Sequence, residues 1–269
     1  MKISVSIVDY GKGALVKKNI YLLSKQTLAH NIDLVIVDNS ENKENFLLYG
    51  DIKTYESCFS SFTLVRPQKN IGYTLATNVS IDLSSDYCFL INPDIEIEDP
   101  MLLQKCIKHL KEDEKVGLVS VKHIDDMRVT ENIARKFPSL KAQVYKRLPY
   151  FKNTNIVKDY VSGASNDSNT ILEADWVQSS FWGLRTDTWS KLSGLDARFF
   201  LFMNEPDFCR RLKAINLKVH YLADLTVNTD GVRCSAGGFM SIFKSRTVRI
   251  HIVDAIRYYL KSYKKKDFK

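Results

Sequence analysis

The sequence predicts an α/β fold in which a mostly parallel central sheet is flanked by helices. Segments with strand character alternate with helical segments through the first half of the chain, which is the pattern of a parallel sheet covered by helices. Residues 34–37 and 87–91 are short, continuous apolar runs, as expected of strands buried on both faces. Polar residues follow these strands, and in open α/β sheets ligands bind at the carboxyl ends of the strands. We therefore expect a ligand site along that edge of the sheet.

The elements of the first half follow from this alternation. Residues 3–8 form the first predicted strand, because apolar and polar side chains alternate there up to Asp9. Pro100 favours a helix start, since its fixed φ suits the first helical turn. The further strands are predicted at residues 34–37, 62–65, 87–91 and 116–121. The helices between the strands are predicted up to residue 22, near residues 76–83, and from residue 100 to residue 111.

A polar run at residues 162–169, Ser-Gly-Ala-Ser-Asn-Asp-Ser-Asn, predicts a loop that separates the strand–helix alternation of the first half from the remaining elements. Beyond it we expect a strand over residues 176–184, a short helix over residues 186–192, and a helix over residues 206–214 with Pro206 in its first turn. The predicted organisation is one domain of two halves followed by a helical tail, at residues 1–125, 126–235 and 236–269.

The composition is that of a globular protein. Of the 269 residues, 45% are hydrophobic and 26% are charged, which favours a packed core over disorder. No stretch approaches the roughly 20 apolar residues of a membrane-spanning helix, and the N-terminus begins with a strand pattern. We therefore expect a cytoplasmic protein. The five cysteines include no Cys-x-x-Cys pair that would begin a zinc site.

The positive charge is concentrated at the C-terminal end. The net charge is +8, and residues 244–269 carry nine Lys and Arg against Asp254 and Asp267, a net charge of +7. Aromatic and aliphatic residues lie among these basic residues, so the tail predicts either contact with an anionic membrane surface or a solvated helix. The first alternative places the protein peripherally on the inner face of the plasma membrane. Nucleic acid is not an expected partner, because the sequence contains no recognisable nucleic-acid-binding motif.

Carboxylates follow two of the predicted buried strands. Asp38 ends the strand at residues 34–37, where it can accept a hydrogen bond from a nucleobase imide or a ribose hydroxyl. The alternative is that Asp38 binds no ligand and only stabilises the turn after the strand. Asn-Pro-Asp at residues 92–94 ends the strand at residues 87–91. Acidic oxygens at a strand end suit a hard divalent cation that also binds a diphosphate, with Asp94 as a direct ligand, and an ordinary acidic turn is the alternative.

An aromatic run followed by carboxylates opens a predicted helix within residues 199–211. A carboxylate there can take the proton from an acceptor hydroxyl as the hydroxyl attacks. Asp207 can instead stabilise the helix N-terminus through the helix dipole. Trp176 is the tryptophan best suited to stack on a sugar face, because Asp175 precedes it, and a core position is the alternative.

Together these segments resemble glycosyltransferase family 2, and within it the bacterial rhamnosyltransferases of surface polysaccharide synthesis. The order and spacing of the segments carry the resemblance, which covers nearly the whole chain. Arg-Lys-Phe-Pro at residues 135–138 and Asp175-Trp176 are also similar to rhamnosyltransferase segments, and they favour a deoxyhexose as the transferred sugar. The main segments are Val-Asp-Asn-Ser at residues 37–40, Asn-Ile-Gly at residues 70–72 with Ala76 and Asn78, Leu-Ile-Asn-Pro-Asp at residues 90–94, and residues 199–211.

The resemblance implies a GT-A-like fold and an inverting glycosyltransferase. A sugar then moves from a nucleotide-sugar donor to a saccharide or lipid-linked saccharide acceptor, without a covalent enzyme intermediate. The rhamnosyltransferase likeness suggests dTDP-rhamnose as the donor. Residues 1–125 form the nucleotide-sugar-binding half, residues 126–235 form the acceptor-binding and catalytic half, and residues 236–269 form the basic helical tail.

The resemblance also implies a role for each matching residue. Asp94 binds Mg²⁺ or Mn²⁺, and Glu205 occupies the position of the catalytic base. The residues implied on the acceptor side are Asp175, Trp176 and Asp207. The residues implied at the nucleotide are Asp9, Asp38, Asn70, Gly72 and Asn78.

Two positions depart from the family pattern. A Glu-Asp pair usually precedes the helix, and here the pair is Asn204-Glu205. A Glu still accepts a proton, although its longer side chain changes the reach of the carboxylate. Relatives often carry a His after the penultimate strand, where this chain has Val-Asn-Thr-Asp at residues 227–230. Asp230 is then the residue that would take the place of the His at the metal.

These departures keep a second hypothesis open, a nucleotide-sugar-binding protein of the same fold with weak or no transferase activity. A dinucleotide-dependent oxidoreductase is disfavoured. Gly11 and Gly13 follow a predicted strand, but Val16 stands where a GxGxxG motif needs its third glycine.

Overall fold

The structure is a computed structural model that describes residues 1–42, 44, 45, 49, 52–127, 129, 130, 133–139, 145, 150, 154, 155, 170–230 and 246–264. The loop predicted at residues 162–169 lies outside the described residues.

Through the first half of the chain, the described residues alternate between strands and helices as predicted. The strands are β1 (Ile3–Asp9), β2 (Ile32–Asp38), β3 (Ser61–Val65), β4 (Tyr87–Ile91), β5 (Val116–Asp125), β6 (Ala134–Arg135), β7 (Ile171–Ala174), β8 (Trp176–Val177), β9 (Phe181–Arg185) and β10 (Lys218–Thr229). The α-helices are α1 (Gly13–Ser24), α2 (Tyr73–Ser80), α3 (Leu102–Glu112), α4 (Thr186–Lys191), α5 (Asn204–Ala214) and α6 (Arg246–Lys264).

Eight of these strands form one central sheet in the order β3-β2-β1-β4-β9-β5-β10-β7, and β6 pairs with β8. β1 pairs in parallel with β2 and β4, and β2 pairs in parallel with β3. Strands in the middle of a parallel sheet are buried on both faces, and every side chain of β4 is accordingly buried. The five strands predicted in the first half are therefore confirmed as β1 to β5, and the α/β class with a mostly parallel sheet is confirmed with them.

The helix predicted near residues 76–83 begins earlier, at Tyr73, and ends at Ser80. Gly72 precedes the helix with φ of +83°, a left-handed conformation that favours glycine. A Cβ at Gly72 would lie 2.7 Å from the carbonyl oxygen of Phe200. The start of α2 is therefore set by a close backbone contact with a segment more than a hundred residues away.

The single strand predicted over residues 176–184 is wrong, because two strands, β8 and β9, cover this segment. A turn that includes Ser179 and Ser180 separates them. The carbonyl oxygen of Ser180 accepts a hydrogen bond from the backbone N–H of Asn92 at 2.8 Å, and this contact moves the chain from the small sheet into the central one. β9 then lies between β4 and β5, antiparallel to both.

The end of β10 reaches the loop that follows β4. Asn228 and Glu96 exchange backbone hydrogen bonds of 2.9 and 3.1 Å. This pairing brings Asp230, the residue directly after β10, to the carboxyl end of β4. His220 lies within β10.

Two large hydrophobic clusters fill the space on the faces of the central sheet. Trp182 and Trp189 are buried in the second cluster, together with Trp176. β9 inserts a strand of the predicted second half between β4 and β5 of the first half, so the two halves share one sheet. Among the described residues, no helix combines the length and the apolar character needed to cross a membrane.

Candidate active site

Four aspartates lie at the carboxyl ends of strands or directly after them. Asp9 ends β1 and Asp38 ends β2, and the two residues are paired in the strand register. Asp94 follows β4 and Asp230 follows β10. The strands of this edge run in parallel, so their carboxyl ends face the same side of the sheet.

The Asp9 carboxylate is fully buried. Its Oδ2 accepts hydrogen bonds from the Asn45 side-chain amide and the Tyr49 hydroxyl, both at 2.8 Å, and its Oδ1 accepts the Lys12 backbone N–H at 2.8 Å. Burial, together with the charges of Asp9 and Asp38, raises the pKa of Tyr49. Asp9 thus organises the segments around the strand ends, and its predicted contact with the nucleotide stays a prediction.

The Asp38 carboxylate is also fully buried, but its two oxygens differ. Oδ1 accepts hydrogen bonds from the Ser40 hydroxyl at 2.6 Å and from the Asn45 side-chain amide at 3.0 Å. Oδ2 makes no hydrogen bond to the described residues, and Arg66 Nε lies 3.6 Å from it. A cleft of 280 Å³ opens beside Ser40 and Arg66, and Pro67 and Gln68 also line it. A buried acceptor oxygen next to a cleft fits the N–H of a nucleobase imide or a ribose hydroxyl.

Asn70 orders the loop that leads to Gly72. The Asn70 side-chain oxygen accepts hydrogen bonds from the Asn39 amide at 2.9 Å and from the Gly72 backbone N–H at 2.8 Å. The Asn39 side-chain oxygen in turn accepts the backbone N–H of Ile71 at 2.9 Å. Because Asn39 directly follows Asp38, this pair of amides ties the loop to the end of β2.

Asn78 holds a distant backbone segment in place. Its side-chain amide donates to the carbonyl oxygen of Leu195 at 2.8 Å, and its oxygen accepts the Leu195 N–H at 2.9 Å. Both polar atoms of Asn78 therefore bind protein backbone. Nucleotide contacts of Asn70, Gly72 and Asn78 stay predictions, and the structure gives each residue a role in positioning the loops around the site.

Asp94 and Asp230 converge on one lysine. The Lys12 ammonium lies 3.2 Å from Asp230 Oδ2 and 3.8 Å from Asp94 Oδ1. The Thr229 hydroxyl donates to Asp94 Oδ2 at 3.4 Å. Burial raises the pKa of Asp94, the charge of Asp230 raises it further, and Lys12 opposes the shift. A cation already lies between the two carboxylates, so the place where they meet suits positive charge.

The donor set at this position fits a hard divalent cation, because it consists of carboxylate and hydroxyl oxygens. No group of three or more His, Cys, Asp or Glu within the described ranges is placed to hold a metal by itself. Mg²⁺ and similar ions are commonly bound by one or two carboxylates and complete their shell with water and substrate phosphates. The position of Asp230 agrees with the hypothesis that it takes the place of the missing His.

Glu205 lies in the first turn of α5 and is half-buried. Its Oε1 accepts a hydrogen bond from the Ser179 hydroxyl at 3.2 Å. Burial raises the pKa of Glu205, and the hydrogen bond from Ser179 and the charge of Arg135 oppose the shift. A carboxylate with a raised pKa is better suited to take a proton near neutral pH.

Tyr73 connects the two carboxylates of the site. Its hydroxyl donates to the Ser179 carbonyl oxygen at 3.4 Å. Burial raises the pKa of Tyr73, and the charges of both Glu205 and Asp94 raise it further. Tyr73 is therefore within electrostatic reach of the predicted base and of the predicted metal ligand.

Lys12, Tyr73 and Ser179 were not predicted as site residues. Tyr73 directly follows the Asn-Ile-Gly segment at residues 70–72, which was a local signal for it. Ser179 was missed because a continuous strand was expected through it. Lys12 carries no local signal, since its partners Asp94 and Asp230 lie far away in the sequence.

The residues predicted on the acceptor side are held mainly by other protein groups. Asp207 is buried, with Arg211 Nε 2.9 Å from Oδ2 and Lys261 Nζ 2.5 Å from Oδ1. These ion pairs give Asp207 a structural role in the first turn of α5, because both of its oxygens are occupied. Its contact with an acceptor stays a prediction that the geometry disfavours.

Trp176 begins β8, and Asp175 directly precedes it. Asp175 pairs with Lys213 at 2.6 Å and accepts the Phe137 backbone N–H at 3.1 Å. The Trp176 indole N–H donates to the Lys136 carbonyl oxygen at 2.8 Å, and only 6% of the residue is exposed. Little of the Trp176 ring is available for stacking on a sugar, so this contact, too, stays a prediction.

Part of this chain is similar in sequence to a known protein. The rhamnosyltransferase WbbL of Escherichia coli (strain K12) is 25% identical over 138 residues, which cover 51% of this chain and 49% of that protein. The chain therefore matches about half the length of this curated relative. No protein-family model matches the chain.

Solved glycosyltransferase structures share the fold. The mannosyltransferase PcManGT from Pyrobaculum calidifontis, in complex with GDP-Man and Mn²⁺, superposes with a TM-score of 0.60 at 14% identity, over 95% of this chain and 64% of that one. GalNAc-T7 with UDP, GalNAc and Mn²⁺ superposes with a TM-score of 0.58 at 11% identity, over 85% of this chain and 44% of that one. TarS of S. aureus, residues 1–349, superposes with a TM-score of 0.55 at 14% identity, over 85% of this chain and 60% of that one.

These likenesses establish the architecture. The chain has a GT-A-like fold, as predicted, and its resemblance to family 2 glycosyltransferases is confirmed by the sequence match and the shared fold.

Proposed function

We propose that this protein is an inverting glycosyltransferase that moves a sugar from a nucleotide-sugar donor to a hydroxyl group of a saccharide or lipid-linked saccharide. The observation that carries the proposal is that the turn at Ser179 and Ser180 joins the segments of two carboxylates. The Ser179 hydroxyl donates to Glu205 at 3.2 Å, and the Ser180 carbonyl oxygen accepts the N–H of Asn92, two residues before Asp94. Direct displacement needs one group for the departing diphosphate and a base for the attacking hydroxyl. The two carboxylates come from different elements, which agrees with these two roles.

The donor is held through its base and its diphosphate. Asp38 Oδ2 and the adjoining cleft accept the base or the ribose, and the diphosphate lies toward Asp94, Asp230 and Lys12. Asp94 and Asp230 would hold a Mg²⁺ or Mn²⁺, which would supply positive charge for the leaving nucleoside diphosphate. The Lys12 ammonium adds a second positive charge beside the same oxygens. The Mn²⁺ in the mannosyltransferase and GalNAc-T7 structures supports a divalent ion in this fold.

The acceptor hydroxyl is activated by Glu205. As the acceptor oxygen forms its bond to the anomeric carbon, its proton passes to a Glu205 carboxylate oxygen, and the bond to the diphosphate oxygen breaks with its electron pair leaving on the diphosphate. Attack from the face opposite the leaving group inverts the anomeric configuration. The Ser179 hydroxyl, 3.2 Å from Oε1, orients the carboxylate.

Rhamnose from dTDP-rhamnose is the best-supported sugar. The support is the 25% identity with a rhamnosyltransferase, together with the segments at residues 135–138 and 175–176. The similar structures were solved with GDP-Man or UDP, so the fold alone does not select the nucleotide. Synthesis of a surface polysaccharide is the process in which we place the reaction.

A donor panel tests the proposed function. The melting temperature is measured with dTDP, UDP and GDP and their sugar derivatives, each with and without Mn²⁺, because a ligand that binds only the folded state raises it. We expect dTDP-rhamnose with Mn²⁺ to give the largest increase in melting temperature. We also expect it to act as the donor for sugar transfer to a crude polysaccharide extract. Binding without any transfer would favour the nucleotide-sugar-binding alternative. If no nucleotide raises the melting temperature, the proposal is wrong.

We also propose that α6 brings the protein to an anionic membrane surface, where a lipid-linked acceptor would lie. Val253, Ile256 and Leu260 are 45%, 54% and 59% exposed, and their spacing places them on one face of the helix. Arg246 and Arg249 are exposed near the same face. An apolar stripe with neighbouring basic groups is the pattern of a helix that lies in the interface of an anionic membrane.

Replacing Ile256 and Leu260 by Asn is expected to weaken sedimentation with anionic liposomes by about tenfold or more, since a fully buried aliphatic side chain contributes roughly 1.5–3 kcal/mol. The matched control replaces Val79 and Leu83 by Asn, because these side chains are 60% and 62% exposed elsewhere on the surface. Equal sedimentation of the two variants would show that α6 is a solvated helix. A tail deletion is a poorer test, because α6 also holds residues of the active-site region.

A further inference from the structure

The buried face of α6 carries a carboxylate that binds a run of backbone N–H groups. The Asp254 side chain is fully buried. Its oxygens accept the backbone N–H groups of Phe200 at 3.1 Å, Leu201 at 3.0 Å and Phe202 at 3.0 Å. Arg257 Nη1 lies 3.4 Å from Oδ1. Successive backbone N–H groups that point to one place form an anion-binding concavity, and here a side chain of the same protein occupies it.

The segment that Asp254 holds leads directly into α5. The Phe200 carbonyl oxygen accepts the Thr74 backbone N–H at 3.4 Å, next to the close approach at Gly72. The Leu201 carbonyl oxygen accepts the Asn204 side-chain amide at 2.9 Å. Met203, the last residue before α5, has φ of +63°, a left-handed conformation that is uncommon for a side chain of this size. The backbone path into α5 is therefore fixed by specific contacts on both sides.

Further contacts join α6 to the same region. Lys261 Nζ lies 2.5 Å from Asp207 in the first turn of α5 and 2.6 Å from Asp196. Tyr258 is 1% exposed and packs in a cluster with Phe199 and Met203. The helix thus contacts both the segment at residues 199–203 and the first turn of the helix that carries Glu205.

We propose that Asp254 is a positioning residue for Glu205: by fixing the segment at residues 199–203, it sets the orientation in which the carboxylate of Glu205 meets the acceptor hydroxyl. This inference rests on the proposed function. A buried carboxylate is costly unless its oxygens are satisfied, and the three N–H groups satisfy it only while the segment keeps this conformation. The conformation before α5 is consequently coupled to the docking of α6.

The surroundings of Glu205 give this role a signature in the pH profile. Among the described residues, Arg135 in β6 shifts the pKa of Glu205, and the charge of Glu205 shifts the pKa of Tyr73 in α2 and of Cys209 in α5. Arg135 lowers the pKa of Glu205, and burial raises it by more. Loosening the segment before α5 would let water reach Glu205, so its pKa would fall toward the ordinary value of a glutamate. The acid limb of the kcat profile would then move to lower pH.

Asp254→Asn tests the inference, because Asn has nearly the same shape but presents an amide donor to N–H groups that need an acceptor. We expect kcat to fall by about 10–100-fold, since a small misplacement of a catalytic group has an effect of that size. The acid limb should move to lower pH, the amides of residues 200–202 should exchange hydrogen faster, and the affinity for the nucleoside diphosphate should be unchanged. The matched control is Asp224→Asn, an exposed Asp on β10, with no change expected in any of these.

Asp254→Glu is the second variant, because it keeps the charge and the acceptor oxygens, and we expect it to recover part of kcat. An unchanged kcat in Asp254→Asn would overturn the inference. So would a lower kcat with an unmoved acid limb, or loss of folding in both variants, because either result would show a role in stability alone. If wild-type protein transfers no sugar, the proposed function is wrong. Hydrogen exchange in Asp254→Asn then tests only whether Asp254 holds the backbone of residues 200–202.

Discussion

Replacing Glu205 by Gln is expected to lower the rate of sugar transfer by about 10²–10⁴-fold, the usual cost of removing a general base. Gln has nearly the same shape and can still accept the hydrogen bond from Ser179, so α5 should keep its position. Only the ability to take a proton is lost. Single-turnover transfer to the acceptor is the measurement, and titration calorimetry with the nucleoside diphosphate should show unchanged affinity, because the proposed donor site is at Asp38 and Asp94.

The pH dependence gives an independent check on Glu205. A base acts in its deprotonated form, so activity is present above its pKa and is lost as the pH falls through it. Burial raises the pKa of Glu205, and the acid limb of the wild-type kcat profile should accordingly lie above the ordinary pKa of a glutamate. In Glu205→Gln this limb should disappear. The limb should stay in Glu173→Gln, a matched control at a partly exposed Glu in β7.

Transfer by Glu205→Gln at close to the wild-type rate would place the base elsewhere. Asp207 is the next carboxylate in the sequence, but its oxygens pair with Arg211 and Lys261. Asp207→Asn is therefore expected to act mainly on stability, as removal of one partner from buried ion pairs is destabilising. If Asp207→Asn instead loses sugar transfer while its melting temperature is unchanged, Asp207 is the base and Glu205 is not.

Local sequence signals were sufficient for the parallel half of the fold. The apolar runs that became β2 and β4 are buried on both faces, and a polar residue ends β2 and directly follows β4. The pattern was ambiguous at residues 176–184, where apolar residues on both sides of Ser179 and Ser180 suggested one strand. The hydrogen bond from the Asn92 N–H to the Ser180 carbonyl oxygen, which redirects the chain there, joins positions far apart in the sequence and leaves no periodic signal.

The candidate site was predictable to the extent that its residues lie in short segments. Asp38, Asp94 and Glu205 could be selected because each follows a strand or opens a helix. Lys12 and Asp254 could not be selected, since their roles depend on partners that only the folded chain brings near. A lysine after β1 and an aspartate in a basic tail have no local feature that marks them.

Replacing Asp94 by Asn is expected to weaken Mn²⁺-dependent binding of the nucleoside diphosphate by at least about 10–100-fold, the loss commonly caused by removing even an indirect partner of a metal. Asn keeps the shape and one oxygen but removes the charge that a hard divalent cation prefers. The fold should survive, because the residue lies in a loop after β4 and contributes little to the core. Titration calorimetry with and without Mn²⁺ measures the effect.

Asp99→Asn is the matched control for this prediction, because Asp99 lies in the segment after β4 but pairs with Lys105 at the surface. Asp230→Asn should reproduce part of the Asp94→Asn effect, since both carboxylates lie beside the Lys12 ammonium. If Asp94→Asn leaves both the affinity and its Mn²⁺ dependence unchanged, Asp94 is not a metal ligand. If binding in the wild type does not depend on Mn²⁺ and instead falls in Lys12→Met, the lysine is the cation that neutralises the diphosphate, and the divalent ion has no place in the reaction.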